Sequence, residues 1–318
     1  MRANLNTGLD TAKGLAVAWQ VPLLGVNHMQ AHALTPRMVS SLETDDDSRA
    51  PEPAFPFLSL LVSGGHTMLV HSRGLCDHKI LAKTSDIAIG NVIDKCARDI
   101  LPASALGTTG AVTYGRLLEE FAFPGGYEDY GYIAPATRGE EIKVRDTGYG
   151  WSFTPPFSQT RARAKDNIME FSYSGIGSTV KQVIMSKPEI SDIERRILAR
   201  ETMRVAFEHL ASRLVIALQS QEMKDVDTVV VSGGVASNQY LKHVLRANLD
   251  KRGFEHIRLT FPPPSLCTDN AAMIAWTGIE MWENGWRSGL EISSLREWGI
   301  DSADQDGGVL GADGWISM

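Results

Sequence analysis

Two short apolar segments of this chain run directly into Ser-Gly-Gly turns. Phe57-Leu-Ser-Leu-Leu-Val62 meets Ser63-Gly64-Gly65, and Thr228-Val-Val-Val231 meets Ser232-Gly233-Gly234. Runs of this kind, aliphatic or β-branched and closed by glycine, read as buried strands. The first is followed by a returning strand, His66-Thr-Met-Leu-Val-His71; the second is followed by a helix from Val235. Backbone N–H groups at glycine turns and helix starts can cradle phosphate, and glycine permits close approach. Two such turns in one chain predict an α/β protein with a nucleotide cleft. A plain hairpin and a plain strand-to-helix turn are the bland alternatives.

The remaining segments support the α/β class. Asp10 to Trp19 has helical periodicity, Val21 to Val26 reads as a short buried strand, and Asn27 is a good N-cap for the next helix. Ser40 to Pro53, holding Glu43, Asp45, Asp46 and Asp47 with two prolines, predicts a solvated loop. Helices are expected over Asp86–Leu101, Ile193–Gln221 and about Asp269–Asn284, and a strand over His256–Phe261. Residues 124–165 show no period and read as an irregular insertion. The last thirty residues are Gly- and Asp-rich with few apolar anchors, which predicts partial disorder.

His28 and His32 stand four residues apart, so a helix places both imidazoles on one face. Two such nitrogens can share a divalent metal, and Asp269, in Leu266-Cys-Thr-Asp-Asn-Ala-Ala, offers a distant carboxylate. His, His and Asp leave open positions on a metal, which suits Lewis-acid chemistry. A polar helix face, with Asp269 or Thr268 merely capping the last helix, is the alternative. No Glu follows His28, so the His-Glu-x-x-His metalloprotease motif is absent. Asp94-Lys95 reads either as an exposed ion pair or as Asp94 facing the cleft. Asn238, one helical turn in, would present its amide to a base or ribose. Arg195, Arg196, Arg200 and Arg204 on one helix, with Arg161, Arg163 and Lys165 before it, read as a solvated basic face or as a phosphate-backbone surface.

Composition limits the classes. The chain has 318 residues, 43% hydrophobic and 22% charged, ordinary for a globular protein with one large domain or two. A net charge of −7 argues against coating nucleic acid by charge alone, although a local basic face suffices for binding. Three unpaired-looking cysteines point to a reducing compartment without a disulfide framework. No apolar run reaches a membrane span, and no signal peptide is visible.

Taken in order, six runs resemble those of the tRNA N6-adenosine threonylcarbamoyltransferases, a family once described as O-sialoglycoprotein endopeptidases. They are Asn27-His-Met-Gln-Ala-His32, Leu61-Val-Ser-Gly-Gly-His-Thr67, Asp94-Lys95, Phe171-Ser-Tyr-Ser-Gly175, Ser232-Gly-Gly-Val-Ala-Ser-Asn238 and Cys267-Thr-Asp-Asn-Ala-Ala-Met-Ile-Ala275. Ala31-His-Ala-Leu-Thr-Pro-Arg37 looks like the mitochondrial, fungal-type branch. The resemblance implies an actin-like (ASKHA) two-lobe α/β fold with its first lobe incomplete at the N-terminus. Residues 1–55 and 261–318 would form the remnant of that lobe, and 56–260 the other lobe.

It implies transfer of a threonylcarbamoyl group from threonylcarbamoyl-AMP to the exocyclic amine of the tRNA adenosine 3′ of the anticodon. His28, His32 and Asp269 would hold one divalent metal, zinc or iron, per subunit. Leu61, Val62, Ser63, Gly64, Gly65, Asp94, Gly115 and Asn238 would contact the adenylate. Mitochondrial location, a homodimer and a separate adenylate-forming enzyme upstream are implied too. Three departures stand out: the family's first strands have no counterpart before Met1, Ile176-Gly-Ser replaces a segment where relatives usually carry lysine, and Ile87 and Asn91 replace common acidic residues. The alternative class is an inactive actin-like subunit that binds nucleotide or tRNA; a sugar or acid kinase of the same fold lacks a dedicated base here.

Overall fold

The computed structural model describes residues 2–44, 50–105, 114–158, 168–266, 269–295 and 297–317. Thr268, Cys267, the Arg161/Arg163/Lys165 cluster and the acidic residues 45–47 therefore lie outside the described residues.

Five main strands and one two-residue strand build the central sheet: β1 (Phe57–Val62), β2 (Thr67–Ser72), β3 (His78–Thr84), β4 (Glu170–Phe171), β5 (Thr228–Ser232) and β6 (Arg258–Thr260). Their spatial order is β4-β3-β2-β1-β5-β6. β1/β2 and β2/β3 pair antiparallel, while β3/β4, β1/β5 and β5/β6 are parallel. Every residue of β1 and β5 is buried, because helices cover both faces of the sheet. Alternation sorts the side chains. Leu58, Leu60, Val62, Val229 and Val231 enter the larger core, with α3 (Ile89–Ile100), α4 (Tyr114–Ala122), α6 (Ser174–Ser186), α7 (Asp192–Leu218) and α8 (Gln239–Lys251). Phe57, Leu61 and Val230 face the other side, toward α2 (His28–Leu42) and α9 (Ala271–Glu283). Among its described side chains, helix α1 (Arg2–Trp19) buries only Ala16, and α5 (Arg138–Glu141) is a single turn in the irregular 124–158 region.

The α/β expectation is met, with four local corrections. Val21–Val26 is not a buried strand. It is partly exposed, Leu23 makes a lone bridge to Ser288, and Pro22 has no N–H for a ladder. Ser40–Pro53 is not wholly a solvated loop: α2 continues to Leu42, and the carbonyls of Pro51 and Pro53 accept from the buried Arg37 guanidinium (2.9 and 2.6 Å). The helix after the second glycine turn begins at Gln239, behind a single 3₁₀ turn over Gly234–Ser237. The described part of the C-terminal segment carries regular structure: β7 (Trp286–Ser288) pairs antiparallel with β8 (Trp315–Ser317), and Ile300 and Val309 are buried against β2 and α9.

Candidate metal centre beside two glycine turns

Asn27 starts α2 by accepting from the N–H groups of Met29 (3.0 Å) and Gln30 (3.1 Å). His28 and His32 then lie on one face, their ring centroids 4.7 Å apart and nearly perpendicular. Asn270, not Asp269, caps α9, accepting from Met273 N–H (2.9 Å). That leaves the Asp269 carboxylate free of the capping role. Its Oδ1 lies 3.1 Å from His32 Nε2 and 3.3 Å from His28 Nε2. The three ligand atoms all fall within 4.8 Å of one another.

What fixes this convergence of residues 237 positions apart is the packing of α2 on α9. Arg37, one turn beyond His32, donates through Nε to both carboxylate oxygens of Glu280 (3.0 Å each), and Trp276 Nε1–H donates to the same Glu280 (2.5 Å). Both charges are about nine-tenths buried. Gln30 adds a bond from its amide to the Leu75 carbonyl (2.8 Å), anchoring α2 to the β2–β3 hairpin.

The donor set fits a divalent cation. Two ligands each about 2.0–2.2 Å from a tetrahedral ion stand about 3.3–3.6 Å apart, close to the N···O separations found here. Burial, and then the neighbouring His28, push the His32 imidazole below its ordinary pKa, and Asp269 only partly offsets this. A neutral imidazole is the form that ligates a metal. His28 and Asp269 are largely exposed, leaving the open side toward solvent.

The two glycine turns lie side by side. Gly233 has φ +107°, and a Cβ there would sit 2.3 Å from the Val62 carbonyl oxygen, so only glycine lets the second turn touch the end of β1. Gly90, in the first turn of α3, donates to Ser63 O (3.1 Å), and a Cβ there would fall 2.7 Å from that oxygen. Gly64, Gly65 and Gly234 are different. They are exposed, and a Cβ on any of them would meet nothing within 4 Å. Their open face is where an outside group can approach the backbone. Ser63 Oγ closes the first turn by accepting from Gly65 and His66 N–H (3.2 and 3.0 Å).

The other expected adenylate contacts are distributed unevenly. Leu61 and Val62 are buried in opposite cores, so only their backbone is available. Asp94 and Gly115 do meet: Gly115 N–H donates to Asp94 Oδ1 (3.0 Å). Burial raises the Asp94 carboxyl, and this hydrogen bond works against it. Asn238 does not present its amide oxygen to a cleft. It is the N-cap of α8, accepting from Leu241 N–H (2.8 Å), and is buried with its Nδ2 toward Met203 Sδ (3.9 Å).

The α7 arginines are structural. Arg195 donates to Ile100 O (2.7 Å), Arg196 to Phe121 O (3.0 Å) and Arg200 to Ala122 O (2.7 Å), at the C-terminal ends of α3 and α4. Arg204 pairs with Glu201 and Glu208.

Three residues that matter to the site were not singled out from sequence. Glu280 locks Arg37. Glu119 on α4 accepts from Tyr240 N–H (2.8 Å), joining the Gly115 segment to the start of α8. Asp86 accepts from Tyr173 and Ser174 N–H (both 3.0 Å) and from Ser172 Oγ (2.8 Å), holding the Phe171–Gly175 run. Arg37 and Glu280 did carry a signal: each is a lone charge in an apolar helical run, and a buried charge needs a partner.

Comparison with known proteins gives the family. Residues 2–276 match the family model described as tRNA N6-adenosine threonylcarbamoyltransferase. A mitochondrial protein of that name from Schizosaccharomyces pombe is 36% identical over 98% of this chain and 66% of its own length. The Symbiobacterium thermophilum protein of that name is 34% identical over 93% of this chain and 72% of its own. The chain thus spans about two thirds of the length of the relatives it matches. The crystal structure of T. kodakarensis HypF superposes with a TM-score of 0.46 at 13% identity, covering 86% of this chain and 39% of that one.

Proposed function

Since the chain belongs to the tRNA N6-adenosine threonylcarbamoyltransferase family, whose fold is the actin-like α/β one, we propose that it modifies tRNA adenosine by threonylcarbamoyl transfer. The donor would be threonylcarbamoyl-AMP and the acceptor the exocyclic amine of the adenosine 3′ of the anticodon. The observation that carries this reading is the convergence of His28 Nε2, His32 Nε2 and Asp269 Oδ1, with His66 of the first open glycine turn near enough to act on His32.

The residues divide the work by position. The exposed backbone at Gly64, Gly65 and Gly234 would receive the adenylate phosphate. The Asp94–Gly115 pair would flank the nucleoside. His28, His32 and Asp269 would hold a divalent ion, zinc or iron, which when bound supplies a Lewis acid for the oxygens of the acyl phosphate. The mixed anhydride is already activated. The chain's own task is therefore to hold donor and amine in line and to keep bulk water from the carbonyl, and orientation alone can be worth about 7–11 kcal/mol. The amine nitrogen forms the new bond to the carbonyl carbon, the bond from that carbon to the phosphate oxygen breaks, AMP leaves with the electron pair, and the nitrogen gives up one proton to solvent.

Mitochondrial location, a homodimer and a separate adenylate-forming enzyme belong to the same proposal; the S. pombe relative is named mitochondrial. No described helix is long and apolar enough to cross a membrane.

The test is direct. The purified chain, loaded with zinc or iron, is incubated with threonylcarbamoyl-AMP and unmodified tRNA, and nucleosides are quantified by mass spectrometry. Modified adenosine is expected, and its loss in His28→Ala together with loss of one bound metal per chain. Metal and adenylate binding without product would refute transferase activity in favour of an inactive binding subunit. Absence of metal from the unaltered chain would refute the role given to the two histidines.

A further inference from the structure

Helix α3 starts against the first glycine turn, where Gly90 N–H donates to Ser63 O (3.1 Å). Helix α6 packs along it, and Gly177 permits the close approach: a Cβ there would lie 3.3 Å from Val92 Cγ2. Both helices bury their apolar sides, Val92, Ile93 and Cys96 from α3 and Ile176, Val180 and Val183 from α6. Helical spacing then sorts what remains outside. Asn91, Lys95 and Arg98 are exposed and share one face of α3; Ser174, Ser178 and Lys181 are exposed and share one face of α6. Lys95 and Arg98 lie five and eight residues beyond Gly90. That is roughly 7–12 Å along the helix axis from the turn.

Charge is sorted along with polarity. The two carboxylates of α3, Asp94 and Asp99, are half-buried and stay off the exposed face, and α6 carries no carboxylate at all. Asp94 is turned toward α4, where it accepts from Gly115 N–H (3.0 Å). Asp86, which precedes α3, is engaged at the start of α6 by the N–H groups of Tyr173 and Ser174 (3.0 Å each). The Arg98 guanidinium lies over the Tyr114 ring, 4.5 Å from its centroid, an arrangement that keeps the charge at the surface. Burial pushes the Cys96 thiol of α3 up to about 12, and the charge of Lys181 works against that rise, so this lysine stands beside α3. The outer ridge of the two helices is thus purely cationic, on a chain whose net charge is −7. It begins at the open glycine turn and runs beside the Asp94–Gly115 pair.

We infer that the ridge formed by Lys95, Arg98 and Lys181 is a docking surface for the phosphate backbone of an RNA strand. Its occupant is the anticodon loop that brings the acceptor amine to the adenylate, so the inference rests on the transferase reading. The charges match, and the ridge leads outward from the place where the two substrates have to meet. It offers ammonium and guanidinium groups and hydroxyls but no open aromatic face, which suits contacts to phosphate and not to bases. The ridge fixes where the strand lies, and the sequence of the RNA is not read there.

The test is the salt dependence of binding. Association of the full chain with an unmodified anticodon-arm RNA is followed by fluorescence anisotropy as salt is raised from about 50 to about 200 mM. Lys95→Gln and Lys181→Gln should each weaken binding and reduce the slope of log K against log salt by about 0.7–0.9, and the double variant by the sum. Both lysines are exposed, so the melting temperature should hold. Lys224→Gln, an exposed lysine outside the ridge, should leave the slope unchanged. Slopes equal to that of the unaltered chain, an equal loss in Lys224→Gln, or a parallel loss of threonylcarbamoyl-AMP binding overturns the assignment. Turnover separates the two readings. RNA binding with the expected slopes but no modified adenosine sinks the transfer and keeps the ridge; modified adenosine with unaltered slopes sinks the ridge and keeps the transfer.

Discussion

The helix pair that carries the candidate metal ligands and the pair of glycine turns next to it are held in place by opposite means. Helices α2 and α9 are registered by side chains: a buried Arg37–Glu280 ion pair with Trp276 and two loop carbonyls around it. The turns are registered by the absence of side chains, since Gly233 and Gly90 let backbone meet backbone where a Cβ would collide. The first arrangement is vulnerable to loss of charge balance. The second is vulnerable to a single added methyl.

The largest effect is expected on the helix pair. Glu280→Ala strands the Arg37 guanidinium in the core and should cost about 3–5 kcal/mol in urea unfolding. A cost under about 1 kcal/mol would show that Arg37 can reach water, and that the ion pair does not register the ligands. Gly233→Ala should follow, at about 2–4 kcal/mol, because it adds both a clash with Val62 O and a strained φ. Equal urea midpoints for Gly233→Ala and the unaltered chain would mean that β1 and the second turn can separate freely.

Acid should loosen the helix-pair side by way of His78. This residue is buried, its ring donating from Nε2 to the Leu75 carbonyl (2.8 Å) that also receives Gln30 of α2. Burial lowers its pKa from 6.5 to about 4. With the folded value below the unfolded one, the contribution to stability is intact above pH 6.5 and is lost as pH falls toward 4. At pH 5.5 the loss should be about 1 kcal/mol, and His78→Gln should remove that part of the pH dependence. The smallest stability effect belongs to the open turn. Gly64→Ala should change stability by less than about 0.5 kcal/mol, since a methyl there meets nothing. Threonylcarbamoyl transfer should nonetheless fall about tenfold or more through displacement of the phosphate, measured by the same nucleoside assay. Unchanged transfer would remove that turn from the site.

Much of this was legible in the residues because short-range rules governed it. The strand–Gly-Gly signals, the Asn27 cap and the four-residue histidine spacing are all local, and each was found where local rules put it. Strand β3 was not foreseen, because His78-Lys-Ile-Leu-Ala-Lys-Thr84 is half exposed and carries no clean alternation. The capping role of Asn238 was not legible, because the same residue type serves as a cap and as a ligand, and only the position of the helix start shows that its Oδ1 is engaged by α8. Asp269 was paired with the histidines across 237 residues by motif order, yet the Arg37–Glu280 lock that makes the pairing geometric was invisible. The C-terminal segment looked anchorless because its two buried apolar side chains among the described residues, Ile300 and Val309, are widely spaced among glycine and aspartate.

The arginines of α7 carry one more consequence. Arg195, Arg196 and Arg200 each donate through one guanidinium nitrogen to main-chain carbonyls at the ends of α3 and α4. Replacing any of them should therefore lower the melting temperature by leaving a carbonyl at the end of α3 or α4 without its donor, whatever it does to the binding of a polyanion.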